Sequence, residues 1–121
     1  MAKTILLVDD DIDLLHSLSE LLRKRGYSVL EHSDPREALE YCREKGEDLN
    51  CVLTDIDMPG MDGISFLAEV HRMHPVVEGL LMTGNLRWVA PASSDGLECL
   101  QKPFTYAELF LALEKRTTTT Q

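Results

Sequence analysis

Four short apolar runs of this chain each end at polar residues that can handle a phosphoryl group or a hard metal ion. Ile5-Leu6-Leu7-Val8 ends at Asp9-Asp10-Asp11, and Cys51-Val52-Leu53 passes through Thr54 into Asp55. Leu80-Leu81-Met82 leads to Thr83, and Leu97 to Leu100 leads through Gln101 to Lys102-Pro103. Carboxylates supply oxygen ligands and a nucleophile, a hydroxyl supplies a donor, and an ammonium neutralises oxyanion charge. In open parallel α/β sheets, ligands bind beyond the carboxyl ends of the strands. A buried strand that stops at such a residue presents it to that crevice. The combination points to phosphoryl chemistry.

The elements that must position these residues are legible along the chain. Leu14, Leu15, Leu18, Leu21 and Leu22 recur with helical period and Gly26 stops them. Residues 27 to 31 read as a short strand. Asp34-Pro35-Arg36-Glu37 has the form of a helix start, with an aspartate cap and proline at the first helical position. That helix turns Ala38, Leu39 and Cys42 inward and stops near Gly46. After the strand at Cys51, Met58-Pro59-Gly60-Met61-Asp62-Gly63 is a loop that also buries apolar surface, and a third helix over residues 64 to 73 ends before Pro75. A fourth strand is expected over residues 77 to 82. Thr105-Tyr106-Ala107-Glu108 fits the capping box of a last helix reaching Lys115, with Thr117 onward a fraying tail. Strands spaced by helices imply an α/β fold, a parallel sheet covered on both faces.

Residues 85 to 96 break this rhythm. Pro91 disfavours a helix interior and Ser93-Ser94-Asp95-Gly96 reads as a turn, so one short helical turn is the most this segment is expected to hold. Trp88 lies inside it, as a packed or partner-facing aromatic or as one that stacks on a ligand.

Size and charge narrow the function. The 121 residues make one domain with room for a proper core, and the composition, 44% apolar and 27% charged, is that of a globular protein. A net charge of −9, from 21 acidic and 12 basic residues, argues against direct nucleic acid binding, which needs a basic face. Cys42, Cys51 and Cys99 have no metal or redox spacing and read as reduced thiols. No run has transmembrane length and Met1-Ala2-Lys3 leads straight into a strand, so no membrane association and no leader are expected; a cytoplasmic location is.

Taken together these residues resemble the receiver domain of two-component response regulators, the chemotaxis-Y-like superfamily. The resemblance rests on the acidic pair Asp9-Asp10, Asp55 at a strand end, the loop from Asp57 to Gly63, the Thr83-Gly84 step and Lys102-Pro103-Phe104. It covers residues 1–116, with 117–121 as a tail or the start of a linker. It implies a flavodoxin-like doubly wound sheet of five strands in the order 2-1-3-4-5, here with a short or irregular fourth helix. That order would set the Asp9-Asp10 terminus beside Asp55. The resemblance further implies a Mg²⁺ site made by Asp10 and Asp55, with Asp9 sharing the pocket and the Asp57 backbone carbonyl as a further ligand. Asp55 would be the phosphoacceptor, Lys102 would neutralise phosphoryl charge, and the Thr83 hydroxyl would complete the coordination. Such a domain is a signalling phosphoacceptor rather than an enzyme on other substrates. Its partners are a histidine kinase or phosphotransfer protein and a downstream effector domain or protein, and it can form a homodimer.

Several points stay open on sequence alone. Any of Asp9, Asp10 and Asp11 can cap the first helix, and the Asp57 side chain either tunes hydrolysis or faces solvent. Cys99 stands three residues before Lys102, where the family usually carries a tyrosine or phenylalanine that couples to the threonine. The interval from Thr83 to Lys102 is also short. Both departures put the output surface, not the phosphorylation residues, in question. Two other functions compete: a receiver-like binding module that is never phosphorylated, and a haloacid-dehalogenase-like phosphatase using Asp55-Ile56-Asp57, whose second aspartate would be a general acid.

Overall fold

Successive side chains of β1 (Thr4–Val8) alternate between two faces, yet Ile5, Leu6, Leu7 and Val8 are all fully buried. A strand apolar on both faces needs helices on both faces. In this computed structural model, which describes residues 2–94 and 96–117, that is what the chain supplies. Ile5 and Leu7 join Cys51, Leu53, Leu80 and Met82 beneath α1 (Ile12–Lys24) and α5 (Tyr106–Thr117). Leu6 and Val8 join Val52 and Leu81 beneath α2 (Pro35–Lys45), α3 (Gly63–Met73) and α4 (Val89–Ser94). Between the layers lie five parallel strands in the order β2-β1-β3-β4-β5. The other four are β2 (Ser28–His32), β3 (Cys51–Asp55), β4 (Glu78–Thr83) and β5 (Cys99–Gln101). This is the flavodoxin-like arrangement expected from the sequence.

The helix starts follow from the side chains at their caps. Asp11, not Asp9 or Asp10, caps α1, accepting the Leu14 N–H at 3.2 Å. Asp34 accepts from Arg36 N–H before Pro35, and Asp62 accepts from Ser65 N–H at 2.8 Å. Thr105 and Glu108 close the capping box of α5 reciprocally, at 2.7 and 3.1 Å. The loop before α3 does bury Met58. Cys42 and Cys51 are core residues and Cys99 is half-buried. None of the helices of the described residues is long and apolar enough to cross a membrane.

Where element edges differ from the sequence reading, a neighbouring helix or turn has taken the backbone group. Tyr27 N–H closes α1 on Leu22 O, after Gly26 has turned the chain at φ +104°, so β2 starts one residue late. Val77 N–H bonds His74 O in a turn and Leu97 N–H bonds Ala92 O, which keeps both residues out of their strands. The fourth helix exceeds the single turn expected: a 3-10 turn, Leu86–Trp88, runs into the six residues of α4, and Pro91 lies inside it. Pro91 is tolerated because it falls in the first turn of α4, where a missing N–H has little consequence. Of the expected turn after it, Gly96 adopts φ +75° and bonds Ser93 O, while Asp95 lies outside the described residues. The last helix reaches Thr117, which is buried and donates its hydroxyl to Leu113 O. The tail expected from Thr117 therefore begins no earlier than residue 118, and residues 118–121 lie outside the described ones.

Two glycines test how tightly α3 packs on the sheet, Gly63 at the site end and Gly79 at the amino end of β4. A Cβ on Gly63 would sit 2.2 Å from the Asp55 carbonyl oxygen and 2.9 Å from Ile56 Cα, both backbone atoms. A Cβ on Gly79 would meet the Leu67 side chain, its methyl carbons at 2.5 and 2.7 Å and its Cγ at 3.0 Å, which can turn aside. Gly79→Ala is expected to lower stability by about 1–3 kcal/mol, and Gly63→Ala by clearly more, because the strand carrying Asp55 must move. Urea unfolding of both variants checks the order; equal losses would mean that the Asp55 backbone yields easily.

Candidate functional site

The sheet register sets the site. Val8 pairs with Thr54, so the residues that follow, Asp9 and Asp55, leave adjacent strands at one level. Asp55 pairs with Met82, and Thr83 with Gln101, so Thr83 and then Lys102 follow on the next strands. Backbone bonds past the strand ends hold the positions: Ile56 N–H on Met82 O at 2.9 Å and Lys102 N–H on Thr83 O at 2.7 Å. Asp9 is held through its own carboxylate, whose Oδ1 accepts the Asp11 N–H at 3.0 Å.

Lys102 bridges the two buried carboxylates. Its Nζ donates to Asp55 Oδ1 at 3.0 Å and to Asp9 Oδ2 at 3.3 Å. Asp9 is 1% exposed and Asp55 6%, whereas Asp10 faces solvent. Burial pushes the Asp55 carboxyl up to about 6; the Lys102 bond and charge oppose this, and the charges of Asp9 and Asp10 add to it. Burial likewise raises Asp9, against the Asp11 backbone bond and Lys102. For Lys102, burial pulls downward but the bonds and charges of Asp55 and Asp9 outweigh it, so its ammonium is held more firmly than an ordinary lysine's. Burial also raises the Cys99 thiol, with the nearby Asp55 charge adding to it.

One carboxylate oxygen from each of Asp9, Asp10 and Asp55 lies within 4.8 Å of the others. Two buried carboxyls, both raised by burial and by neighbouring carboxylates, with a third at the solvent edge, form an all-oxygen donor set short of positive charge. That set fits a hard divalent cation. Asp9, Asp10, Asp55 and Lys102 thus come together, while the Thr83 hydroxyl turns to Asp57 and Asn85. The Asp57 side chain is exposed and outside this cluster. It accepts the Trp88 indole N–H at 2.6 Å on Oδ1, and its Oδ2 faces the Thr83 hydroxyl at 3.4 Å. Asp57 therefore takes one firm bond from Trp88, with the Thr83 hydroxyl at the edge of hydrogen-bond reach. Trp88 packs against the α2–α3 side of the core as well. Nothing in the sequence pointed to the Trp88–Asp57 bond, because 31 residues and no shared periodicity separate the partners.

Comparison with known proteins agrees with this geometry. The family described as "Response regulator receiver domain" matches residues 5–114. Transcriptional regulatory protein ZraR of Escherichia coli is 40% identical over 114 residues, which make up 92% of this chain and 25% of that protein. The chain therefore spans about a quarter of that relative's length. A response regulator receiver domain protein from Clostridium thermocellum superposes with TM-score 0.89 at 29% identity, covering 96% of this chain and 94% of that one. Response regulator protein TrrA of Thermotoga maritima, solved in complex with Mg²⁺ and BeF, superposes with TM-score 0.81 at 28% identity, covering 93% and 97%.

The raised pKa of Asp55 has a thermodynamic sign. Its carboxyl holds a proton more tightly folded (about 6) than at the ordinary 3.8, so stability contributed by Asp55 is present below pH 3.8 and lost as pH rises through 6. In metal-free buffer at pH 7.5, Asp55→Asn should therefore be more stable than the parent, by at most about 3 kcal/mol, and melt higher. The advantage should vanish near pH 4. Calorimetry of both proteins across that range checks it; an advantage that does not change with pH would assign the effect to something other than the buried charge.

Proposed function

The chain belongs to the response regulator receiver domain family, and from that premise we propose that it is the phosphoacceptor of a two-component phosphorelay, modified on Asp55. The observation that carries this reading is the Lys102 ammonium 3.0 Å from Asp55 and 3.3 Å from Asp9, at the carboxyl ends of β5, β3 and β1. Asp55, ionised above about pH 6, is a carboxylate nucleophile in a partly desolvated site. Lys102 engages its Oδ1, which leaves Oδ2 for in-line attack on phosphorus. The bond from phosphorus to the donor's imidazole nitrogen breaks as the new P–O bond forms, and the nitrogen keeps the electron pair. The product is an aspartyl phosphate whose oxygens Lys102 can partly neutralise, and Thr83 offers a hydroxyl one strand away.

Mg²⁺ suits the acidic set of Asp9, Asp10 and Asp55, with the Asp57 backbone carbonyl as a further ligand, and when bound it supplies charge neutralisation at the phosphoryl oxygens. TrrA, bound to Mg²⁺ and BeF, supports this choice. The phosphodonor is a histidine kinase or a phosphotransfer protein. Leu14, Leu18, Pro103, Phe104 and Tyr106 form an apolar groove that Lys102 rims, so a protein docked there would bring its phosphohistidine to Asp55. The readout partner is an effector domain or protein, as the transcriptional relative suggests.

Incubation with acetyl phosphate and Mg²⁺ should add one phosphoryl mass, lost in Asp55→Asn and when Mg²⁺ is chelated. An adduct that persists in Asp55→Asn overturns the assignment. Asp10→Asn should melt above the parent without Mg²⁺, because it removes repulsion, and gain less when Mg²⁺ is added, because it removes a ligand. An unchanged Mg²⁺ response in a thermal melt counts against Asp10 as a ligand.

A further inference from the structure

One carboxylate, Asp57, stands between the phosphorylation site and the segment that leads into α4. Its Oδ1 takes the Trp88 indole N–H at 2.6 Å, a short charge-assisted bond to a donor that has no other polar atom. Its Oδ2 faces Thr83 Oγ1 at 3.4 Å. The Thr83 oxygen itself accepts the Asn85 N–H at 3.0 Å. That hydroxyl has a single proton, with two acceptors in reach: Asp57 Oδ2, and Asn85 O at 3.3 Å. Both contacts are long, so where the Asp57 carboxylate sits decides which one the proton serves. The firm bond to Trp88 fixes where it sits.

We propose that Trp88 is a positioning residue for the phosphoryl site: its indole holds the Asp57 carboxylate against Thr83 in the unphosphorylated protein. This rests on Asp55 being the phosphoacceptor. A phosphoryl group on Asp55 brings anionic oxygens that compete for the Thr83 proton and repel the Asp57 carboxylate. Both effects act against the Trp88–Asp57–Thr83 chain, so the chain belongs to the unphosphorylated state. A contact made in only one of two states shifts the equilibrium by its own strength, in either direction of linkage. Removing the indole donor should therefore favour the phosphorylated form, and forming that form should release the indole. Trp88 packs on the α2–α3 side of the core and closes the 3-10 turn of residues 86 to 88, so losing the bond frees that turn, and α4 after it, to shift.

The chain has a single tryptophan, so one indole ¹H–¹⁵N resonance reports the bond without assignment. In metal-free buffer, where any ligand role of Asp57 is silent, Asp57→Ala should move that resonance upfield. Adding beryllofluoride with Mg²⁺ to the wild type should move it in the same direction. Trp88→Phe keeps a packing ring but no donor, and should bind beryllofluoride roughly five- to tenfold more tightly, with the double variant Trp88→Phe/Asp57→Ala no tighter than the tighter single. An indole resonance indifferent to Asp57→Ala, or wild-type affinity in Trp88→Phe, overturns the positioning role. If beryllofluoride binds Asp55→Asn as well as wild type, the phosphoacceptor reading itself fails and the positioning role falls with it; the metal-free comparison separates that failure from a missing hydrogen bond.

Discussion

The ammonium of Lys102 is what allows two carboxylates to be buried side by side. Asp9 and Asp55 leave adjacent strands at one level because β1 and β3 are neighbours in register. Lost hydration opposes the ionisation of both, and at Asp55 the charges of Asp9 and Asp10 add to it, as the raised pKa of each carboxyl records. Attraction between unit charges near 4 Å is worth about 4 kcal/mol at an effective dielectric of 20, enough to offset most of that but not all. The residual strain is the useful part. A fully compensated carboxylate would be a poor nucleophile and would have no need of a further cation. This site keeps Asp55 short of positive charge, and Asp10 at the solvent edge extends the deficit to where an ion can enter.

That arrangement makes demands on the rest of the sheet. Lys102 reaches the carboxylates only because β5, three residues long, is fixed at its end by Lys102 N–H on Thr83 O. Behind Asp55, Gly63 lets the first turn of α3 approach the Asp55 carbonyl more closely than a side chain would permit. Around the inner cluster runs a second polar chain, Trp88–Asp57–Thr83, which shares no bond with the first. The inner cluster handles charge, and the outer chain links that charge to α4. Thr83 belongs to both, through its backbone carbonyl on Lys102 and its hydroxyl toward Asp57.

Much of this was legible before any coordinates, and the reason is local. Apolar runs that stop at Asp9, Asp55, Thr83 and Lys102, and aspartate caps before helices, encode strand ends and helix starts within a few residues. Convergence of those ends was accessible only through family resemblance, since strand order is not a local property. Strand edges slipped at Tyr27, Val77 and Leu97 because a helix or turn captured each N–H, a competition that alternation of polarity does not reveal. Pro91 misled in the same way: proline disfavours a helix interior, but its effect depends on the turn it occupies. The Trp88–Asp57 bond was out of reach because a loop side chain's partner is chosen by the path of the chain after β4, not by any spacing.

The two ends of the sheet differ in how firmly they are built, and the difference bears on signalling. β1, β3 and β4 carry fully buried side chains and lie between helices on both faces. β5 is a short edge strand with half-exposed residues, and α4 has six residues, too few to persist as a helix without tertiary support. Opening a segment of this kind disrupts little buried surface, so its free energy lies far below that of global unfolding. A new charge on Asp55 meets strands buried on both faces, where a shift would disturb close packing on two sides. It can shift a short helix tied to the site by one hydrogen-bonded carboxylate. The firm strands fix the chemistry, and the weak edge beside them is the part of the fold able to take two positions.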